Sequence, residues 1–145
     1  MTQRMILIST NHPHLRFSSG DVLRVLYLVY QGEWKELPSL AIVFTHSRSI
    51  RKMNREFLKH DYVTDVLVFP LGKDGGVEGE IYINLDAARK QAHEYGVTYT
   101  QELRRLLIHG VLHLLGYDDT TIRRKKKMSE REDLYLKLMK RKKRK

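Results

Sequence analysis

The chain has 145 residues, 41% of them hydrophobic and 30% charged, a formal net charge of +10 and no cysteine. That length fits one domain with a real core. Disulfides and thiolate metal ligands are excluded, a reducing compartment is compatible, and no apolar run is long enough for a signal peptide or a membrane span, so the expected location is the cytoplasm.

The charge is uneven. Residues 123–145 hold 13 of the 27 Lys/Arg and 3 of the 17 Asp/Glu, which leaves 14 of each in residues 1–122. The pattern predicts a neutral domain with a basic C-terminal extension.

Met5 to Ser9 reads as a short strand. Ser18-Ser19-Gly20-Asp21 is a helix-start signal, Val22, Leu23, Leu26, Tyr27 and Tyr30 follow at helical spacing, and Gly32 is expected to close that helix. Leu40 to Thr45 is a strand. Ser47 to Leu58 is a second helix, with Ser47 as its cap and Ile50, Met53, Asn54 and Phe57 on one face. Val66 to Phe69 is a strand ended by Pro70. Gly72 to Gly76 is a turn, and Glu80 to Asn84 a strand that suggests a hairpin with the one before it. Leu85 to Tyr95 is a third helix closed by Gly96. Thr98 and Gln101 have capping-box spacing and open a fourth, with Leu103, Leu106, Leu107 and Leu112 at helical spacing. Met128 to Lys140 makes a fifth, with Met128, Leu134, Leu138 and Tyr135 turned inward. Four strands and five helices predict an α+β fold with a small mixed four-stranded sheet and helices packed on its face. The expected organisation is one domain over residues 1–139 and a basic tail over 140–145.

The fourth helix carries the chemistry. His109 and His113 are four apart, which stacks two imidazoles on one helix face where both can reach one metal ion. Gly116 sits where a helix can end in a left-handed turn. Such a turn swings Tyr117-Asp118-Asp119 back over the helix end and offers a third ligand, Asp119 ahead of Asp118. Two nitrogens and a carboxylate suit a catalytic zinc with one position open for water, and they also suit iron, nickel or cobalt. The metalloprotease pattern His-Glu-x-x-His places its general base after the first histidine, where this chain has Gly110, which argues against ordinary peptide hydrolysis. His12 and His14, beside Pro13, and His93 are poor ligand candidates. His46 follows a strand and is expected to lie at the surface.

The run His109-Gly110-Val111-Leu112-His113-Leu114-Leu115-Gly116-Tyr117-Asp118 resembles the signature of the YbeY family of bacterial endoribonucleases, or rRNA maturation factors. A second stretch agrees in register: Asn54, Asp61, Thr64, Asp65, Val66, Leu67, Phe69 and Pro70, with Phe57 in place of a tyrosine, and Gly79-Glu80-Ile81 is similar to the family's Gly-Asp-Ile. The resemblance implies one zinc per chain, held through His109, His113 and the residue at Asp119, where the family has a third histidine. It implies cleavage of single-stranded RNA, late maturation of the 3′ end of 16S-type rRNA in the small ribosomal subunit, ribosome quality control, and contact with ribosome-associated proteins. Three further positions depart from it. Leu58 stands for an arginine thought to face the zinc cleft, Val63 for a proline and Val68 for a serine. Arg55, Lys59 and His60 are the nearby cations that can replace the arginine beside a phosphate.

The basic runs are the expected RNA contacts: Arg123, Arg124, Lys125, Lys126 and Lys127, then Lys140, Arg141, Lys142 and Lys143. Such segments hold phosphate backbones without reading sequence. A non-enzymatic reading stands beside the nuclease: an assembly factor that binds rRNA around a structural or vestigial metal site.

Overall fold

A computed structural model describes residues 4–73 and 76–141. The elements follow in the order β1 (Ile6–Thr10), α1 (Ser19–Gly32), β2 (Leu40–Thr45), α2 (Ser47–Leu58), β3 (Val66–Pro70), β4 (Gly79–Asn84), α3 (Leu85–Tyr95), α4 (Tyr99–Leu114) and α5 (Ile122–Lys140). The α+β architecture and the small mixed sheet are as expected. The strand order is β1-β2-β4-β3. β1, β2 and β4 are parallel, with Ile42 between Ile8 and Ile81. β3 and β4 form the expected antiparallel hairpin, with Val68 opposite Ile81.

One sheet face carries Leu40, Ile42, Phe44, Ile81 and Ile83, all buried in a core shared with Val25, Leu26 and Val29 of α1 and Leu106, Ile108, Val111 and Leu112 of α4. Helix α4 is central and touches β3, β4, α1, α3 and α5. Gly110 allows its approach: a Cβ there would lie 2.9 Å from Ile81 Cγ2 and 3.4 Å from Val66 Cγ1. The position therefore faces the sheet. Among the described residues no helix is long and apolar enough to cross a membrane.

Local signals place most helix ends. Ser18 accepts the Asp21 amide at 3.1 Å. Thr98 and Gln101 form both bonds of a capping box, which satisfies otherwise orphaned donors. Gly96 and Gly116 take left-handed φ values of 66° and 101°. The end of α1 and the start of α2 differ from expectation. α2 is capped by His46, whose Nδ1 accepts the Ser49 amide at 3.2 Å, so Ser47 is its first helical residue and His46 has a structural role. Gly32 does not supply the left-handed turn after α1. It lies against the Tyr135 ring, so close that a Cβ would sit 2.5 Å from the phenol oxygen, while Trp34 takes the positive φ, 58°.

Helix α5 begins six residues before the expected start. The Thr121 hydroxyl accepts the Arg124 amide at 3.1 Å and caps it, so the first basic run is helical and exposed. Its buried stripe is Met128, Glu132, Tyr135 and Met139. Leu138 packs at the edge of the core, but Leu134 points outward. Arg24 of α1 reaches the Arg141 carbonyl at 3.1 Å, while Glu33 meets Arg131, so α1 and α5 run antiparallel. Lys140 is the last residue of α5; Lys142 and Lys143 lie outside the described residues. On α2, Ile50 and Asn54 are buried, but Phe57 is mostly exposed and meets Phe69 edge-on at 6.1 Å.

Candidate metal centre

Helical spacing brings the two histidines together. His109 Nε2 and His113 Nε2 lie 3.1 Å apart with their rings nearly perpendicular. Two nitrogens bound tetrahedrally at the usual zinc distance stand about 3.3 Å apart, so the pair fits that edge of a zinc site. His109 is held from behind: its Nδ1 lies 2.9 Å from Glu132 Oε2 of α5. The Nδ1 proton bonds the carboxylate and leaves the Nε2 lone pair facing His113. Carboxylate–histidine pairs of this kind orient metal ligands and raise their basicity. Burial, and next the charge of His109, pull His113 below the ordinary histidine range, while Asp119, Glu132 and Asp118 pull the other way. The net result favours the neutral imidazole, the form that donates a lone pair.

Glu132 belongs to a longer chain of charge. Arg105 stands 3.9 Å from it and makes two hydrogen bonds, at 2.8 and 2.6 Å, to the fully buried Glu102 of the same helix. Sequence reasoning missed Glu132. The available signal was an acid flanked by Met128 and Tyr135 at helical spacing in an otherwise basic segment.

His109 and His113 open into a cleft of about 520 Å³, together with Asp119, Leu58, Thr64, Asp65 and strand β3. All three expected ligand positions thus line one cavity. Asp119 sits exposed at its rim, and among the described residues no group of three or more His, Asp or Glu side chains stands together as a closed metal-binding set. Asp65 adds a second carboxylate, fixed by Gln91 Nε2 at 3.2 Å. Of the cations expected near the cleft, Arg55, Lys59 and His60 are exposed, and it is Leu58 that lines the wall. His60 stacks on Tyr62 at 5.3 Å, and Lys59 occupies the left-handed turn that ends α2, at φ 60°.

Of the remaining histidines, His14 and His93 are exposed, whereas His12 is structural. His12 Nδ1 accepts the amides of His14 and Leu15 at 3.1 and 3.0 Å, which puts its proton on Nε2, 2.7 Å from Asp86 Oδ1. Asp86 also accepts the Ser47 amide at 3.0 Å, tying the β1–α1 loop to the start of α2.

The profile of the Endoribonuclease YbeY family matches residues 19–140. The chain belongs to the YbeY family. An endoribonuclease YbeY from Chlorobium luteolum is 44% identical over 127 residues, 86% of this chain and 93% of the relative. A YbeY from Salinibacter ruber is 38% identical over 138 residues, 89% of this chain and 88% of the relative. A solution structure from Thermotoga maritima superposes with a TM-score of 0.66 at 28% identity, covering 93% of this chain and 89% of that one. The family region takes in α4, the turn after it and all of α5, so Glu132 and the first basic run lie inside the YbeY domain.

Proposed function

We propose that this protein is a zinc-dependent endoribonuclease that cuts single-stranded RNA, with His109, His113 and Asp119 as the metal ligands. The observation that carries this reading is the convergence of His109 Nε2 and His113 Nε2, with His109 clamped by Glu132, in the cleft that Asp119 rims. The names of its YbeY relatives supply the substrate class.

Zinc in such a site acts as a Lewis acid toward a phosphate oxygen and lowers the pKa of water. The protein's own groups do the rest. Glu132 fixes the His109 tautomer. Asp65, held by Gln91, presents a carboxylate to the same cleft, where it can take a proton from the attacking group. Arg55, Lys59 and His60 stand on the segment bordering the cleft, and a cation swung inward from there offsets charge on the cleaved phosphate. The exposed run Arg123, Arg124, Lys125, Lys126 and Lys127 at the start of α5, with Lys140 and Arg141 at its end, holds the RNA backbone. The cellular role that follows is maturation of the 3′ end of small-subunit rRNA and ribosome quality control, in the cytoplasm and on the ribosomal subunit.

One observation favours a second reading. Leu58 occupies the cleft wall where the family resemblance has an arginine, and Arg55, Lys59 and His60 are turned to solvent. A site without that cation suits an assembly factor that binds rRNA without cutting it. Cleavage of single-stranded RNA and of ribosomal subunits by the protein, beside His113→Ala prepared identically, decides between them. Cutting by the wild type alone supports the nuclease. Equal inertness of both on both substrates removes it.

A further inference from the structure

Trp34 is the single tryptophan of the chain, and 93% of its surface is exposed. It forgoes the burial that ordinarily stabilises an indole, and its φ of 58° is an outlier region for a bulky side chain. The position is nonetheless firmly built. The Trp34 amide bonds Gln31 O at 3.1 Å and the Lys35 amide bonds Tyr30 O at 3.0 Å. The preceding residue, Glu33, is pinned by the Tyr117 hydroxyl at 2.5 Å and by Tyr135 and Arg131.

Beside this mount lies a pocket of about 460 Å³, lined by Glu33, Lys35, Gly116, Tyr117, Asp118, Arg124 and Lys127 among others. Its two carboxylates are already engaged. Glu33 is held as described, and Asp118 accepts Thr120 Oγ1 at 2.7 Å and Arg124 at 3.1 Å. Lys35 and Lys127 have no carboxylate partner among the described residues. Lys127 also closes a run of five cations at the positive end of the α5 dipole, an arrangement that opposes helix stability and favours a polyanion. The pocket shares a turn with the cleft: Gly116, Tyr117 and Asp118 line the former, His113 and Asp119 the latter.

We propose that Trp34 and this pocket form a second single-stranded RNA subsite, in which a nucleobase stacks on the indole while Lys35 and Lys127 hold the adjoining phosphate. Stacking platforms beside cationic grooves are the sequence-tolerant way to hold single strands. The subsite lets one strand cross the His113–Asp119 turn and enter the cleft. This rests on RNA being the substrate class.

Because Trp34 is the sole tryptophan, its fluorescence reports the contact directly. The full-length protein carrying His113→Ala, which prevents cleavage during titration, is mixed with a short single-stranded RNA, the same sequence as a duplex, or polyaspartate. Strong quenching by the single strand alone is expected. Trp34→Asn, which tolerates the left-handed backbone, is expected to weaken binding about tenfold, while Trp34→Phe retains it. Lys127→Gln is expected to lower affinity and reduce the salt slope by about one. Absence of quenching, equal quenching by polyaspartate, or wild-type affinity in Trp34→Asn overturns the subsite. Cleavage by the otherwise unaltered protein is measured separately. Quenching without cleavage keeps the subsite and removes the nuclease, and cleavage without quenching does the reverse.

Discussion

Glu132 Oε2 lies 2.9 Å from His109 Nδ1, and that contact fixes which nitrogen of His109 faces His113. A carboxylate only 8% exposed is costly unless paired, and here its partners are an imidazole and, more distantly, Arg105. Helix α5 therefore acts on the site from behind. Glu132→Ala frees the His109 ring and is expected to weaken zinc binding about 10- to 100-fold. Competition with a chromogenic chelator measures this without reference to activity. Unchanged affinity would show that the contact is only structural.

Asp119 stands at the proposed third-ligand position, where the chain departs from the family resemblance. It lies exposed at the rim of the cleft that the two imidazoles also line. Asp119→Asn removes the anionic donor and is expected to lower both zinc affinity and RNA cleavage, whereas Asp119→His, with a nitrogen donor, retains both. Equal zinc affinity in the wild type and Asp119→Asn would transfer the third ligand elsewhere, with Asp65 the next acid in the cleft.

Gly110 is explained by packing as well as by chemistry. A methyl group there meets Ile81, which is fully buried beneath α4. Gly110→Ala is expected to destabilise the fold by about 1–3 kcal/mol, because a close-packed core does not absorb an added carbon freely. A urea titration checks it. The metalloprotease glutamate is thus barred at this position by the distance between helix and sheet.

The sequence made α4 legible because its signals are local: a capping box at one end, a glycine turn at the other, and two histidines one helical turn apart. The hairpin and the mixed sheet were legible for the same reason, through alternating apolar residues and a glycine-rich turn. What stayed hidden depends on partners distant in the chain. Leu134 carries an apolar label yet faces solvent, because Glu132, Tyr135 and Met139 set the face of α5 through His109, Glu33 and the core. Gly32 reads as a helix stop, but its role is set by a tyrosine 103 positions later. His12 and His46 looked incidental for want of a view of Asp86 and of the α2 amides. The start of α5 was masked because five cations at a helix N-terminus oppose the dipole, and the Thr121 cap is a single hydroxyl.

Glu33 gives the fold a defined acid sensitivity. Burial alone would raise its pKa, but hydrogen bonds from Tyr117, Tyr135 and Arg131 outweigh that and hold it below the ordinary 4.5. A carboxyl depressed in the folded state adds stability that is fully present above its unfolded value and disappears as pH falls through its folded value. Glu33→Gln keeps the shape and removes the charge. Its melting temperature is expected to fall well below that of the wild type at neutral pH, with the gap narrowing as pH falls below the ordinary glutamate range and through the lowered value of the folded state. Because Glu33 clamps Tyr117 and, through it, the Asp118–Asp119 turn, the same substitution is expected to weaken zinc binding at neutral pH as well as stability. A gap that stays constant across the titration would show that Glu33 contributes through packing instead of charge.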